Sequence, residues 1–313
     1  MRQMSFVSLP HTLLGAAVAL IGGCAATPAV EQSATKAPAE LYAGQPATVH
    51  ATEFPVTSVA EGVQRGDAAW QQGNLDLALY LYLQALQFDA NDAAPLRKIG
   101  AIHESRGNTP LARKAFEMAL ERGGEHAGTL ERLGLIYLQE ERVQEASALL
   151  TRAIKLDPRR WRAHNGLGVL ADGRREYAAA QSHYDAALSI EPKAGIAYNN
   201  RGYSKYLAGD LAGAEQDFYG AIRLGAGDQA LLNLGRVQAK SRRYSAAFKT
   251  LLDAFDTAHA YNEVGEVAML NGDHHIAKAY FENATNASPA YFEKAYKNLA
   301  SANEALLSPR GGS

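Results

Sequence analysis

Along residues 161–194 apolar side chains recur at spacings of three and four, in two blocks separated by a short polar turn. The first block, roughly Ala163 to Asp172, sets Leu167, Leu170 and Ala171 on one stripe. The second, roughly Tyr177 to Ile190, does the same with Ala180, Tyr184, Ala187, Leu188 and Ile190, and Pro192 stops it. Each block predicts an amphipathic helix with one wet face. Gly168 and Ala180 are small where the two helices must come close, and Ala187 is small where a following unit would pack. Two helices of this length cannot bury both stripes against each other alone, so the pattern predicts a repeat.

Counted from Trp161 as first place, the pattern recurs in steps near 34 residues on both sides. The eighth place is glycine from Gly66 through Gly100, Gly134, Gly168, Gly202 and Gly235 to Gly265. The twentieth is alanine from Ala78 to Ala277, and the twenty-seventh is alanine from Ala85 through Ala254 to Ala284. The twenty-fourth is large: Tyr82, Phe116, Leu150, Tyr184, Phe218, Leu251 and Phe281. Pro158, Pro192 and Pro289 hold the thirty-second. In an alanine-rich chain alanine periodicity alone could be chance; the coincident glycine, large and proline places argue against that.

These positions resemble the tetratricopeptide repeat (TPR), over about residues 59–291. The resemblance implies an all-α solenoid of about seven helix-turn-helix units, at 59–92, 93–126, 127–160, 161–194, 195–227, 228–257 and 258–291. The sixth unit is short, with Ala254 and Gly265 too close in sequence, so its second helix should stop about one turn early and the superhelix should change pitch. Residues 292–307 read as one further helix, with Ala295, Leu299, Ala302 and Leu306 inward, capping the last repeat. Residues 308–313 are a tail.

The start of the chain has a different pattern. Residues 1–23 carry Arg2 and then an apolar run from Leu13 to Ile21, the pattern of a secretory signal peptide. The run closes in Leu20-Ile21-Gly22-Gly23-Cys24, which resembles a bacterial lipobox with Ile21 at a place where leucine is commonest. Cys24 is therefore expected to take a covalent lipid on its thiol, the one attached group the sequence suggests; no other cofactor and no metal is expected. The competing reading is an ordinary signal peptide followed by an incidental cysteine. Residues 24–58 are rich in Ala, Pro, Thr and Glu without helical period, and read as a disordered tether. Ala25 after the cysteine implies, by resemblance to lipoproteins, sorting to the outer membrane, with the folded part on its periplasmic face.

Composition narrows the chemistry further. A net charge of −2 gives no reason to expect nucleic acid, and one cysteine excludes an internal disulfide framework. Gly166-Leu167-Gly168 has no preceding strand and the wrong spacing for a phosphate loop. His274-His275 read as a solvated turn in the seventh repeat, without a ligand set. No nucleophile elbow, zinc helix or Walker loop occurs, so the expectation is a protein that is not an enzyme and has no small-molecule substrate. The runs Arg159-Arg160-Trp161-Arg162, Arg174-Arg175 and Arg242-Arg243 read as solvated rims, or as a basic edge for an acidic partner.

In the TPR fold the first helix of each unit lines the concave surface. There the sequence places Asn165, Asn199, Asn200, Tyr203, Tyr206, Asn233, Arg236 and Asn262. Asparagine can pair with the backbone of an extended peptide, and tyrosine adds apolar area with a polar tip; the bland alternative is that a groove is simply wet. A carboxylate clamp is not supported, since Arg97 is followed by Ala101. His164-Asn-Gly-Leu-Gly-Val and Tyr198-Asn-Asn-Arg-Gly-Tyr-Ser-Lys-Tyr-Leu-Ala-Gly-Asp are similar to the TPR lipoproteins of tight-adherence (Flp) pilus systems. That resemblance implies protein partners, pilus or secretin assembly components among them. A type IV pilotin, or an adaptor for envelope enzymes such as peptidoglycan hydrolases or proteases, stands as the alternative.

Overall fold

The computed structural model describes residues 56–288, 290 and 292–307, and the regular elements among them are all α-helices. The signal peptide, Cys24, most of the tether and the 308–313 tail lie outside the described residues. The chain divides into two compact units, one ending at Leu156 and one beginning at Asp157.

The first unit is three helical hairpins: α1 (Val59–Gln71) with α2 (Leu75–Phe88), α3 (Ala93–Ser105) with α4 (Thr109–Gly123), and α5 (Ala127–Gln139) with α6 (Val143–Leu156). Its entry is fixed locally. Ser58 accepts a hydrogen bond from the Glu61 amide at 3.2 Å, while the Thr57 amide donates back to Glu61 Oε2 at 2.9 Å. This reciprocal arrangement satisfies amides that a helix start leaves without partners. The tether expected to run to residue 58 therefore ends in ordered chain by Val56, which is itself buried.

The second unit holds α7 (Trp161–Gly173) with α8 (Tyr177–Ile190), α9 (Gly195–Ala208) with α10 (Leu211–Arg223), α11 (Asp228–Lys240) with α12 (Tyr244–Leu251), and α13 (Thr257–Leu270) with α14 (His274–Ala287). A last helix, α15 (Glu293–Leu307), packs on α14 and buries Ala295 and Ala302, with Leu299 and Leu306 half-buried. The expected repeat starts coincide with the first helices to within a residue. His274 and His275 are the first two residues of α14 and not turn residues, because Asp273 already occupies the cap.

The core is built the same way in every hairpin. A Cβ on the eighth-place glycine would fall 2.4 to 2.9 Å from the twenty-fourth-place side chain, from Tyr82 at Gly66 to Phe281 at Gly265. Ala180, Ala187 and their counterparts in the hairpins with full-length second helices are almost fully buried. The fifteenth place, between the two helices, always has positive φ: Gly73, Gly107, Gly209 and Gly272, but also Glu141, Arg175 and Arg242 at 59 to 60°.

The sixth repeat departs as its length predicts. Helix α12 has eight residues, where the other second helices have 13 to 15. Ala254 is consequently outside any helix and only half-buried, so it does not share the structural role of the other twenty-seventh-place alanines. In compensation α11 and α13 pack directly on one another. Phe248 stacks on Tyr261 at 4.1 Å, and Tyr280 meets both Tyr244 and Tyr261.

Candidate functional site

Within the second unit, successive first helices touch: α7 with α9, α9 with α11, α11 with α13, and α13 with α15. Successive second helices make no comparable contact. The first helices therefore line the inner curve of this unit, and the eight residues expected at a groove all lie on them.

The structure brings the amides together more closely than a solvated groove would. Gln229 donates to Asn233 Oδ1 at 3.2 Å, Asn233 donates to Asn199 Oδ1 at 3.0 Å, and Asn199 meets Asn200 Oδ1 at 3.5 Å. Asn200 in turn donates to Asn165 Oδ1 at 3.2 Å. A row of side-chain amides, all donating in one direction, thus runs across α11, α9 and α7. Both cross-helix bonds join a fifth-place asparagine to a sixth-place one on the next first helix, Asn165 to Asn200 and Asn199 to Asn233.

This corrects one expectation. The groove asparagines were expected to stand free in solvent, but Asn165 and Asn233 are each 5% exposed and Asn262 only 1%. Close contact between first helices buries them, and a buried amide persists only when its polar atoms find partners. Asn262 donates to Glu266 at 2.7 Å and accepts from Asn298 of α15 at 2.9 Å. Arg236 is likewise not a free cation: its Nη2 and Nε donate to Glu263 at 2.9 and 3.2 Å. What the groove offers a visitor is the half-exposed set Asn199, Asn200, Tyr203 and Tyr206, all on α9.

Tyr203 and Tyr206 lie ring on ring, with centroids 6.2 Å apart, and rest on a core cluster containing Phe218, Leu234 and Val237. Burial pushes the Tyr206 hydroxyl above its usual range, and the nearby Arg236 charge opposes that rise. The result is a firm aromatic step beside a polar row, with hydrogen-bonding capacity left over on each amide.

Several residues that shape this face were not picked out from the sequence. Glu263 and Glu266 hold Arg236, Asn262 and Asn298, and Lys294 of α15 reaches Glu266 at 2.6 Å. Comparing sixth and ninth places across repeats would have shown two carboxylates in repeat seven where repeat five has Asn200 and Tyr203. Behind the face, Asp217 is 4% exposed and takes two hydrogen bonds from Arg201 at 2.8 and 2.6 Å and an ion pair from Lys205 at 2.8 Å. Asp172 accepts from Ser204 at 2.6 Å and from Tyr184 at 2.8 Å, joining α7, α9 and α8. Burial raises the Asp172 carboxyl above its ordinary value, and those two hydrogen bonds offset part of the rise.

The basic runs are turn and rim residues. Arg160 pairs with Asp157, Arg174 with Glu176, and Arg162 covers the Trp161 ring at 4.5 Å. Among the described residues no group of three or more His, Cys, Asp or Glu side chains is arranged to hold a metal ion. Among them, too, no helix is long and apolar enough to cross a membrane.

Comparison with known proteins gives the same architecture. A family model described as tetratricopeptide repeat matches residues 97–158, 131–174 and 170–229. A second model of that description matches 258–291, and the two together span just over half of the chain. Tetratricopeptide repeat protein 36 of Danio rerio is 38% identical over 73 residues, which are 22% of this chain and 39% of that relative's length. A solved tetratricopeptide repeat protein from Parabacteroides merdae superposes with a TM-score of 0.54 at 16% identity, covering 78% of this chain and 98% of that one. A structure of MamA covers 53% of this chain and 91% of its own, at 25% identity and a TM-score of 0.46.

Proposed function

Since the chain belongs to the tetratricopeptide-repeat family, we propose that it is a scaffold for other proteins, tethered by a lipid on Cys24 to the periplasmic face of a bacterial outer membrane. Its task in this reading is to assist assembly of a tight-adherence (Flp) pilus or its secretin. The fold supports the general part, protein binding. The lipobox-like Leu20 to Cys24 supports the anchor, and the stretch from Tyr198 to Asp210 supports the pilus system.

One observation carries the binding site: the amide row and tyrosine step on α9, with donors and acceptors of both kinds next to a rigid apolar surface. An extended segment laid there would pair its backbone with Asn199 and Asn200 and bury a side chain against Tyr203 and Tyr206. Few such anchors suffice, because a handful of buried aromatic contacts dominate most interfaces.

The test is capture from envelope extracts with the full-length protein as bait, in cells that make Flp pili. Recovery of pilus or secretin components, reduced by Tyr203→Ala with Asn200→Ala, is the expected result. Recovery of peptidoglycan hydrolases or proteases in their place would move the function to an adaptor of envelope enzymes. Undiminished capture by the double variant would move the binding surface off α9.

A further inference from the structure

Helix α9 carries all the half-exposed groove residues, yet it is anchored unlike its neighbours. The seventh and tenth places are Leu167 and Leu170 in α7, Leu234 and Val237 in α11, and Val264 and Val267 in α13, all buried. In α9 the same places are Arg201 and Ser204. The buried residues of α9 are Gly195, Ala197, Gly202 and Ser204, so none of its fully buried side chains is larger than serine.

Carboxylates from the flanking helices take over that task. Asp217 of α10 accepts two hydrogen bonds from Arg201, at 2.8 Å from Nε and 2.6 Å from Nη2, and pairs with Lys205 at 2.8 Å. Asp172 of α7 accepts from the Ser204 hydroxyl at 2.6 Å. Asp185 of α8 adds a more exposed contact, accepting from Arg201 Nη1 at 2.7 Å. Stability alone gives little reason to bury such charges, because desolvation offsets their attraction and apolar residues of similar volume usually serve as well or better. What the forked pair adds is direction. Aliphatic contacts survive a small turn of a helix about its axis, whereas a forked hydrogen bond does not.

The position of these anchors on α9 gives that direction a consequence. At 100° per residue, Ser204, Arg201 and Lys205 span an arc of about 100°, while Tyr206, Asn199 and Tyr203 lie about 140–200° from Arg201, on the opposite side. A turn of about 20° would move a side-chain amide, about 5–6 Å from the axis, through about 2 Å. That shift is enough to break the 3.0 Å bond between Asn233 and Asn199.

We propose that Asp217 and Asp172 are the positioning residues of the groove: they fix the rotation of α9 and so hold Asn199, Tyr203 and Tyr206 where a partner meets them. The partner's part in this rests on α9 as the binding surface; the rotational anchoring does not.

Side-chain amide exchange, followed by nuclear magnetic resonance in the isotope-labelled full chain, tests the anchoring without any partner. Arg201→Leu, Ser204→Ala and Asp217→Leu together remove the anchors. Lys205 can then reach water, and Asp172 keeps its bond from Tyr184. The urea midpoint should stay level or rise. The Asn233 amide should exchange about tenfold or more faster as its bond to Asn199 opens. Asn298, bonded to Asn262 between α15 and α13, should keep its rate. An unchanged Asn233 rate in the folded variant overturns the proposal. Equal acceleration at Asn298 also overturns it, since the anchors would then serve global stability alone. If the triple variant does not fold, Arg201→Lys decides, because it keeps the charge and loses the fork: Asn233 should exchange about threefold or more faster, and no change refutes the positioning role. Capture from envelope extracts is read separately. Faster Asn233 exchange with undiminished capture would support the anchoring and overturn the groove as the partner's seat, so the two ideas fail separately.

Discussion

A Cβ placed on Gly168 would stand 2.6 Å from Cε1 of Tyr184, closer than side chains pack, so α7 and α8 meet backbone against ring. The same pairing recurs through all seven hairpins, which makes the eighth and twenty-fourth places one unit of sequence rather than two. Gly168→Ala should destabilise the protein by about 1–3 kcal/mol, the usual cost of overpacking. Pairing it with Tyr184→Ala should recover part of that loss, because the two sites share one contact. Urea midpoints of the two single variants and the double variant measure it; strictly additive losses would mean the residues do not share a seat.

Asp172 predicts a particular pH dependence. Its folded-state value is raised by burial, so the folded chain holds the proton more tightly than the unfolded chain. The stabilisation is fully present below the ordinary carboxylate value near 3.8 and is lost as pH rises through the raised folded value. Asp172→Asn should flatten the downward slope that this residue contributes above that pH. The amide gives up one of the two acceptors used by Ser204 and Tyr184, so stability at low pH should fall. Denaturant titrations at a series of pH values check both directions.

Arg175 offers a stabilising change. It sits at φ 60° in the turn between α7 and α8, at the place where four other repeats have glycine. A side chain there costs about 1–2 kcal/mol, and glycine's extra unfolded-state freedom offsets about 0.5–1 kcal/mol of the relief. Arg175→Gly should therefore leave the protein unchanged or raise its Tm by a few degrees. A clear fall in Tm would mean that Arg175 makes a contact of its own.

The groove residues divide by burial. Asn233→Ala should cost about 1–2 kcal/mol, since it removes a buried side chain together with its hydrogen bonds to Asn199 and from Gln229. Tyr203→Ala should weaken partner capture with a smaller stability loss, because its ring is half-exposed at the groove. Thermal melts beside capture assays separate the two. Equal melting losses would mean that Tyr203 is structural.

Cys24 should be the membrane attachment. At about 0.8 kcal/mol per buried methylene, two or more acyl chains hold stably where a single chain is marginal. Cys24→Ala should release the protein into the periplasm or stop its maturation, as read by fractionation after a high-salt wash. Retention of the variant with membranes would refute the anchor.

Much of the fold was legible because helical repeats leave periodic traces: smallness at Gly168 and Ala180, bulk at Tyr184, and a length deficit that shortens α12. The groove was legible only as far as which helix each residue occupies. Nothing in the spacing of Asn165, Asn199 and Asn233 reveals that they bond to one another, because that depends on how closely α7, α9 and α11 approach. Arg236 looked like a free cation for the same reason, since its partner Glu263 comes from the next repeat.

The sequence by itself determined the hairpin, its register and its closest contacts, since these depend on residue size at fixed places within one turn-linked pair. Tertiary structure alone decided which polar groups face solvent and which pair across repeats. Burial belongs to the space between helices, and that space is set by contacts more than a repeat apart.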